Sequence, residues 1–281
     1  MAVTPGVNLP QGYFSRFTTT LTASVAQVLR APSHSRRAEA TRRSARHALW
    51  LAGAGGALIL ALMYLLDAVE IGLMPTRGTA SLWPLRILTD FGKSAYVLWA
   101  LAVVSFAVLV VSAAARGTAR SLLLGLGTRL QFLFFAVLVP VLAGEVLKWM
   151  IGRGRPFVGG EANAFNFSHF AGTEAYASFP SGHAVTASAL AFAVSALWPR
   201  TAVVMLVYAV AIAATRLVLL AHHPSDVVAG AVIGVIGAMF VRYWFAARRL
   251  GFAIGRDGTI VPLPGPSFER LKRVARGPFG P

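Results

Sequence analysis

The chain has 281 residues, 56% of them apolar and only 13% charged, with a mean hydropathy of +0.66; soluble domains carry about a quarter charged residues, so this composition is that of an integral membrane protein. A net charge of +16 and a pI of about 11.6 raise nucleic acid as a partner, but no basic stripe interleaves with stacking aromatics, which excludes nucleic acid and favours anionic lipid at the cytoplasmic face. The absence of cysteine excludes disulfides, thiol catalysis and thiolate metal sites.

Residues 1–46 hold seven Arg and a single acidic residue, Glu39. Phe14, Phe17, Leu21, Val25 and Val28 recur at helical spacing, followed by Arg30, Arg36, Arg37, Arg42, Arg43 and Arg46. This reads as an amphipathic surface helix and then a basic juxtamembrane run against the cytoplasmic leaflet. A disordered basic tail and an organelle transit peptide are the alternatives; no continuous apolar core precedes a small-residue cleavage site, which argues against a secretory signal.

Two charge-free runs, Ala48 to Leu66 and Ala95 to Ala115, are each long enough to span a bilayer. Between them, Asp67 to Ser94 reads as an interfacial connection through Gly72, Pro75, Gly78 and Pro84, with Arg86, Asp90 and Lys93 as interface charges or headgroup contacts. A third span runs from about Leu130 to Trp149, with a kink expected at Pro140. Glu145 lies inside it, and Lys148, three residues on, shares its helix face as a partner; the alternative places Glu145 at headgroup level. Helices are expected from Ser181 to Trp198, Thr201 to Ala221 and Ser225 to Ala247. Their charge-free parts are only about 15 residues, and the polar residues at their ends restore a spanning length.

The expected fold is therefore all-α, an integral membrane bundle of six transmembrane helices. Its parts are a cytoplasmic amphipathic and basic segment at 1–46, a membrane domain at 47–247 and a basic cytoplasmic tail at 248–281. Six crossings put both termini on one side, and that side holds 19 of the 26 Lys and Arg residues. The positive-inside rule makes it the cytoplasm. In the tail, Arg256-Asp257-Gly258 between Ile254 and Ile260 suggests a hairpin, and Ser267, Phe268, Leu271 and Val274 a surface helix.

Three stretches at the opposite interface carry the chemistry. Lys148 to Pro156 ends the third span with two glycines that let Arg155 turn back. Pro180-Ser181-Gly182-His183 opens the fourth helix, whose first amides form an anion site; Gly182 permits close approach, and the Ser181 hydroxyl caps the helix or bonds an oxygen. Arg216 and the His222-His223-Pro224-Ser225-Asp226 run close the fifth helix and open the sixth. A neutral His222 has the means to attack phosphorus while its other ring nitrogen donates to Asp226, and Arg216 is a fixed cationic fork for phosphate oxygens. Read alone, this last set also describes a solvated helix cap. Arg153 is assigned a headgroup contact or a solvated position, His223 packing or capping, and His169 the surface.

Together these stretches, in this order, resemble the type 2 phosphatidic acid phosphatase family over roughly residues 90 to 245. The resemblance implies a lipid phosphate or diphosphate phosphatase at the periplasmic interface of the inner membrane. It also implies His222 as nucleophile, His183 as general acid and Asp226 as the orienting carboxylate, with phosphate held by Lys148, Arg155, Ser181, Gly182 and Arg216. Glu145 and Pro180 are expected to support them. No cofactor, metal or obligate protein partner is expected, because cationic side chains take the metal's role and no His-Glu-x-x-His spacing occurs. Lipid A, undecaprenyl diphosphate, phosphatidylglycerophosphate and phosphatidic acid lie within the family's range. Transfer of the phosphoryl group to a second lipid is the alternative; a transporter is the remote one, since its charges would be scattered through helix centres.

Overall fold

The computed structural model describes residues 12–76, 78–156, 158–160, 162–255 and 257–265. Among them lie nine α-helices: α1 (Tyr13–Leu29), α2 (His34–Leu65), α3 (Asp67–Leu73), α4 (Trp83–Asp90), α5 (Ser94–Ala114), α6 (Gly117–Ile151), α7 (Gly182–Leu197), α8 (Ala202–Val218) and α9 (Pro224–Ala247). A two-stranded antiparallel hairpin follows, β1 (Phe252–Ile254) paired with β2 (Ile260–Pro262) in the register Phe252 to Pro262.

Among the described residues, five helical stretches are long and apolar enough to cross a membrane: His34–Leu65, Ala80–Ala114, Gly117–Ile151, Pro199–Val218 and Pro224–Ala247. The sixth apolar helix, α7, has 16 residues and reaches about 24 Å at 1.5 Å per residue, less than the hydrocarbon thickness. No residue of α7 is exposed and Ala184 to Ala189 are buried, so the helix is enclosed by protein. Outward faces of α5 and α8 carry Trp99, Val103, Val203, Val204 and Leu206 exposed, as a lipid-facing surface requires. The molecule is an all-α membrane bundle.

The centre of the bundle is α9, packed against α2, α6 and α7. Its glycines make this possible. A Cβ on Gly230 would lie 2.5 Å from the Ser181 carbonyl oxygen, one on Gly234 2.3 Å from Ser188 Oγ, and one on Gly237 2.5 Å from Pro140; small residues at this spacing let helix backbones approach in a membrane. At the end away from the motifs, Phe132 meets Phe245 and Phe252 edge-on at 5.5 and 4.8 Å, so the hairpin closes the core.

Two boundaries differ from expectation. The basic run is not a separate juxtamembrane segment, because α2 begins at His34 and carries it into the first span. Likewise α6 begins at Gly117 and stays continuous through Pro140. The amphipathic helix α1 lies across α5 and α6: the Tyr13 hydroxyl donates to the Val110 carbonyl (3.2 Å), and Gln27 bonds Gln131 (3.0 Å). Arginines gather at this end and hold the hairpin, Arg43 donating to the Asp257 carbonyl (3.1 Å), Arg129 to Leu263 (2.9 Å) and Arg242 to Ile260 (2.7 Å). The surface helix expected from Ser267 lies outside the described residues.

Candidate active site

The first motif leaves α6 through Gly152, which is left-handed at φ 57° and donates its amide to the Lys148 carbonyl (3.0 Å). A Cβ there would lie 1.8 Å from the Ser168 carbonyl oxygen, so only glycine fits. Beyond it the chain is framed by the long connection: Ser168 donates to Gly152 (2.7 Å), Gly154 to Asn166 (2.8 Å), Arg155 to Ala175 (2.9 Å) and Ser178 to Arg153 (3.0 Å), all through backbone groups. The Arg155 guanidinium bonds the Glu174 carbonyl and carboxylate, both at 2.9 Å. Lys148 is 2.5 Å from Glu145 Oε1, the pairing expected from their spacing.

The second motif meets the first at Gly182, where an added Cβ would sit 3.5 Å from Lys148 Nζ and 3.6 Å from Glu145 Oε1. Pro180 packs on Gly144 of α6. Ser181 occupies the N-cap position of α7, yet its hydroxyl does not cap the helix; its backbone amide instead donates to the Asp226 carbonyl (3.0 Å). Ser181 Oγ and His183 Nε2 are buried with no hydrogen-bond partner among the described residues. Buried polar atoms are ordinarily bonded, and these two lie in the first turn of α7, where free amide hydrogens favour an anion.

The third motif completes the cluster. Arg216, at the end of α8, donates to Thr89 Oγ1 (2.8 Å) from the end of α4. The same turn brings Gly92 against the His183 ring, where a Cβ would lie 3.2 Å from Cδ2. His222 Nδ1 is 2.7 Å from the Ser178 carbonyl oxygen. A carbonyl only accepts, so Nδ1 carries the hydrogen and Nε2 keeps its lone pair. Burial holds this ring well below the ordinary histidine pKa of 6.5; Arg216 and Arg155 add to the effect, and the Ser178 carbonyl opposes it.

Asp226 does not bond His222, as its spacing suggested it would. Its Oδ2 stands 3.9 Å from Nδ1. Because Asp226 lies in the first turn of α9, its carboxylate turns back to the His223 amide (2.9 Å) and also accepts from Ser178 Oγ (2.6 Å) and Arg153 (2.6 Å). His223 is fully buried at the N-cap of α9.

Arg153 is neither a headgroup contact nor solvated. It is 0% exposed and donates to the Ala164 carbonyl (3.0 and 2.6 Å), Ser225 Oγ (2.6 Å), Asp226 Oδ1 (2.6 Å) and Asp67 Oδ2 (2.7 Å). Asp67 in turn accepts from the Ser225 amide (3.0 Å) and hydroxyl. A buried guanidinium demands carboxylate partners, and here both are distant in sequence. Asp67, Thr89 and Ser178 thus belong to the surroundings of the site although no motif contains them, and Ser225 joins them from within the third. Glu70 faces the same cluster from α3, and burial together with Asp67 and Asp226 pushes its carboxyl up to about 7. Among the described residues no group of three or more His, Cys, Asp or Glu side chains is placed to hold a metal ion.

Residues 129–250 match the profile of the PAP2 superfamily. The chain is 35% identical over 194 residues to a lipid A 1-phosphatase of Rhizobium johnstonii, spanning 68% of this chain and 76% of that protein. It is 34% identical over 177 residues to a lipid A 1-phosphatase of Rhizobium etli, spanning 62% and 75%. A third relative, the bacitracin transport permease protein BcrC of Bacillus licheniformis, is 30% identical over 113 residues, or 40% of this chain and 53% of that one. No solved structure matches.

Proposed function

This chain belongs to the PAP2 superfamily and is a membrane lipid phosphate phosphatase, and on that premise we propose that it works through a phosphohistidine on His222 without a metal ion. His222 Nε2 attacks phosphorus, forming the N–P bond as the bond from phosphorus to the lipid oxygen breaks. His183 gives that oxygen its proton and then takes one from the water that cleaves the N–P bond, releasing phosphate. Lys148, Arg155 and Arg216 balance charge on the transferring oxygens, and the N-terminus of α7 with Ser181 Oγ and the Gly182 backbone holds them. Asp226 acts on the nucleophile through Ser178.

The observation that carries this reading is the bond from His222 Nδ1 to the Ser178 carbonyl, which leaves the Nε2 lone pair available in a cluster with Arg216, Arg155 and His183. Lipid A phosphorylated at position 1 is the first substrate in this reading, supported by the two Rhizobium relatives. The arginine-rich end, with α1 and the hairpin, then faces the cytoplasm and its anionic lipids, and the site faces the periplasm from the inner membrane.

The test is phosphate release by the purified, detergent-solubilised protein in excess chelator. The panel comprises lipid A 1-phosphate, undecaprenyl diphosphate, phosphatidylglycerophosphate and phosphatidic acid. Chelator-resistant turnover, lost in inserted His222→Ala, is expected. Release by His222→Ala at the parent rate would overturn the nucleophile, and phosphate appearing on an added acceptor lipid would replace hydrolysis by transfer.

A further inference from the structure

We propose that Arg153 and Asp67 are positioning residues for the reaction, forming a buried brace that fixes the His222 imidazole and stabilises the charge it acquires. The inference rests on His222 as nucleophile. The links are Asp67 Oδ2 to Arg153 (2.7 Å), Arg153 to Asp226 Oδ1 (2.6 Å), Asp226 Oδ2 to Ser178 Oγ (2.6 Å) and Ser178 carbonyl to His222 Nδ1 (2.7 Å). Arg153 holds Ser178 a second time, through its own carbonyl and the Ser178 amide (3.0 Å). Asp67, Arg153, Ser178 and Asp226 are all 0% exposed, so no water competes for these bonds. Only a planar fork bonds Asp67 on one terminal nitrogen and Asp226 with Ser225 on the other; a lysine ammonium is a point charge without that reach.

Phosphorylation at Nε2 turns the ring into a cation, because Nδ1 keeps its hydrogen. Two carboxylates against one guanidinium leave the brace with one net negative charge behind that ring. His222 itself faces Arg216, Arg155 and His183, with Asp226 at 3.9 Å. The brace therefore supplies the counter-charge that the phosphate-binding cations do not.

The experiment compares Asp67→Asn, Arg153→Lys, Ser178→Ala and His222→Ala, each purified in detergent and normalised to monodisperse folded protein. Asp67→Asn and Arg153→Lys are expected to lower kcat about 10- to 100-fold, the scale of a misplaced reacting group, with KM within a factor of two because substrate contacts are intact. Asp67→Asn should also move the acid limb of kcat/KM to lower pH, which a purely structural loss would not do. If Arg153→Lys fails to fold, Asp67→Asn and the single-hydroxyl variant Ser178→Ala decide the matter. Folded variants with parent kcat, an unmoved acid limb and only a lowered Tm would overturn the brace while inactive His222→Ala left the nucleophile standing. Turnover by His222→Ala would remove the premise instead.

Discussion

Gly230→Ala tests whether the contact between α9 and α7 sets the geometry of the site. The new Cβ would stand 2.5 Å from the Ser181 carbonyl oxygen, 2.9 Å from Ala184 Cβ and 3.2 Å from the Val185 amide nitrogen. None of these is the end of a flexible side chain. Relaxing the first contact to an ordinary 3.4 Å displaces the start of α7 by about 0.9 Å, and that turn carries Ser181, Gly182 and His183. A misplacement of about 1 Å costs roughly 10²-fold in rate, or about 2.7 kcal/mol in the barrier. Phosphate release by purified protein should therefore fall about a hundredfold in kcat, with an added overpacking penalty of about 1–3 kcal/mol in thermal unfolding. Gly56→Ala on α2 is the matched control, because nothing lies within 4 Å of its Cβ. A Gly230→Ala enzyme with kcat within threefold of the parent would refute the argument that this helix contact positions the reacting groups.

Because burial and two guanidiniums hold His222 well below 6.5, its ring stays neutral in mildly acidic solution, and the acid limb of the kcat/KM profile should lie below pH 6.5; a limb at or above that value contradicts the burial. Glu70, raised from 4.5 to about 7, binds its proton more tightly folded than unfolded, so its contribution to stability is complete below 4.5 and lost as pH rises through 7. Thermal unfolding should show that slope in the parent and lose it in Glu70→Gln. Gly152→Ala forces a left-handed φ of 57° and a 1.8 Å clash with Ser168, which should destabilise the fold by about 2–5 kcal/mol in the same assay. Thr89→Val deletes the hydroxyl that Arg216 bonds at 2.8 Å; a hydrogen bond to a charged group is worth about 1.5–3 kcal/mol, so kcat/KM should drop roughly 10- to 100-fold.

What could be read in the residues was chemistry that is local along the chain. Spans declare themselves by uninterrupted apolar runs, Glu145 and Lys148 by a three-residue spacing, and the glycines at 152 and 154 by the turn they permit. Partners separated in sequence were hidden for a physical reason: a guanidinium has the same local signature whether it faces solvent or two carboxylates. Arg153 finds Asp67 and Asp226 at separations of 86 and 73 residues, and nothing near residue 153 announces either. The same blindness misled the reading of Asp226, whose four-residue spacing from His222 is right for a bond that helix capping then claims.

The superfamily match begins at residue 129, yet a wall of the site comes from before it. Asp67 anchors Arg153, Thr89 holds Arg216, and Gly92 lies against the His183 ring. Tyr208 ties α8 to this wall by donating to the Phe91 carbonyl (2.9 Å). Asp67 follows the first span, and Thr89, Phe91 and Gly92 lie at the turn between α4 and α5, so this part of the chain is not a passive linker: it packs against the same cluster as the three motifs. On the proposed mechanism, groups confined to three motifs still require a second wall to hold their cations together, since like charges left to themselves would part. On that reading the chain before residue 129 has a task beyond anchoring, which is to hold Arg153 through Asp67 of α3 and Arg216 through Thr89 of α4.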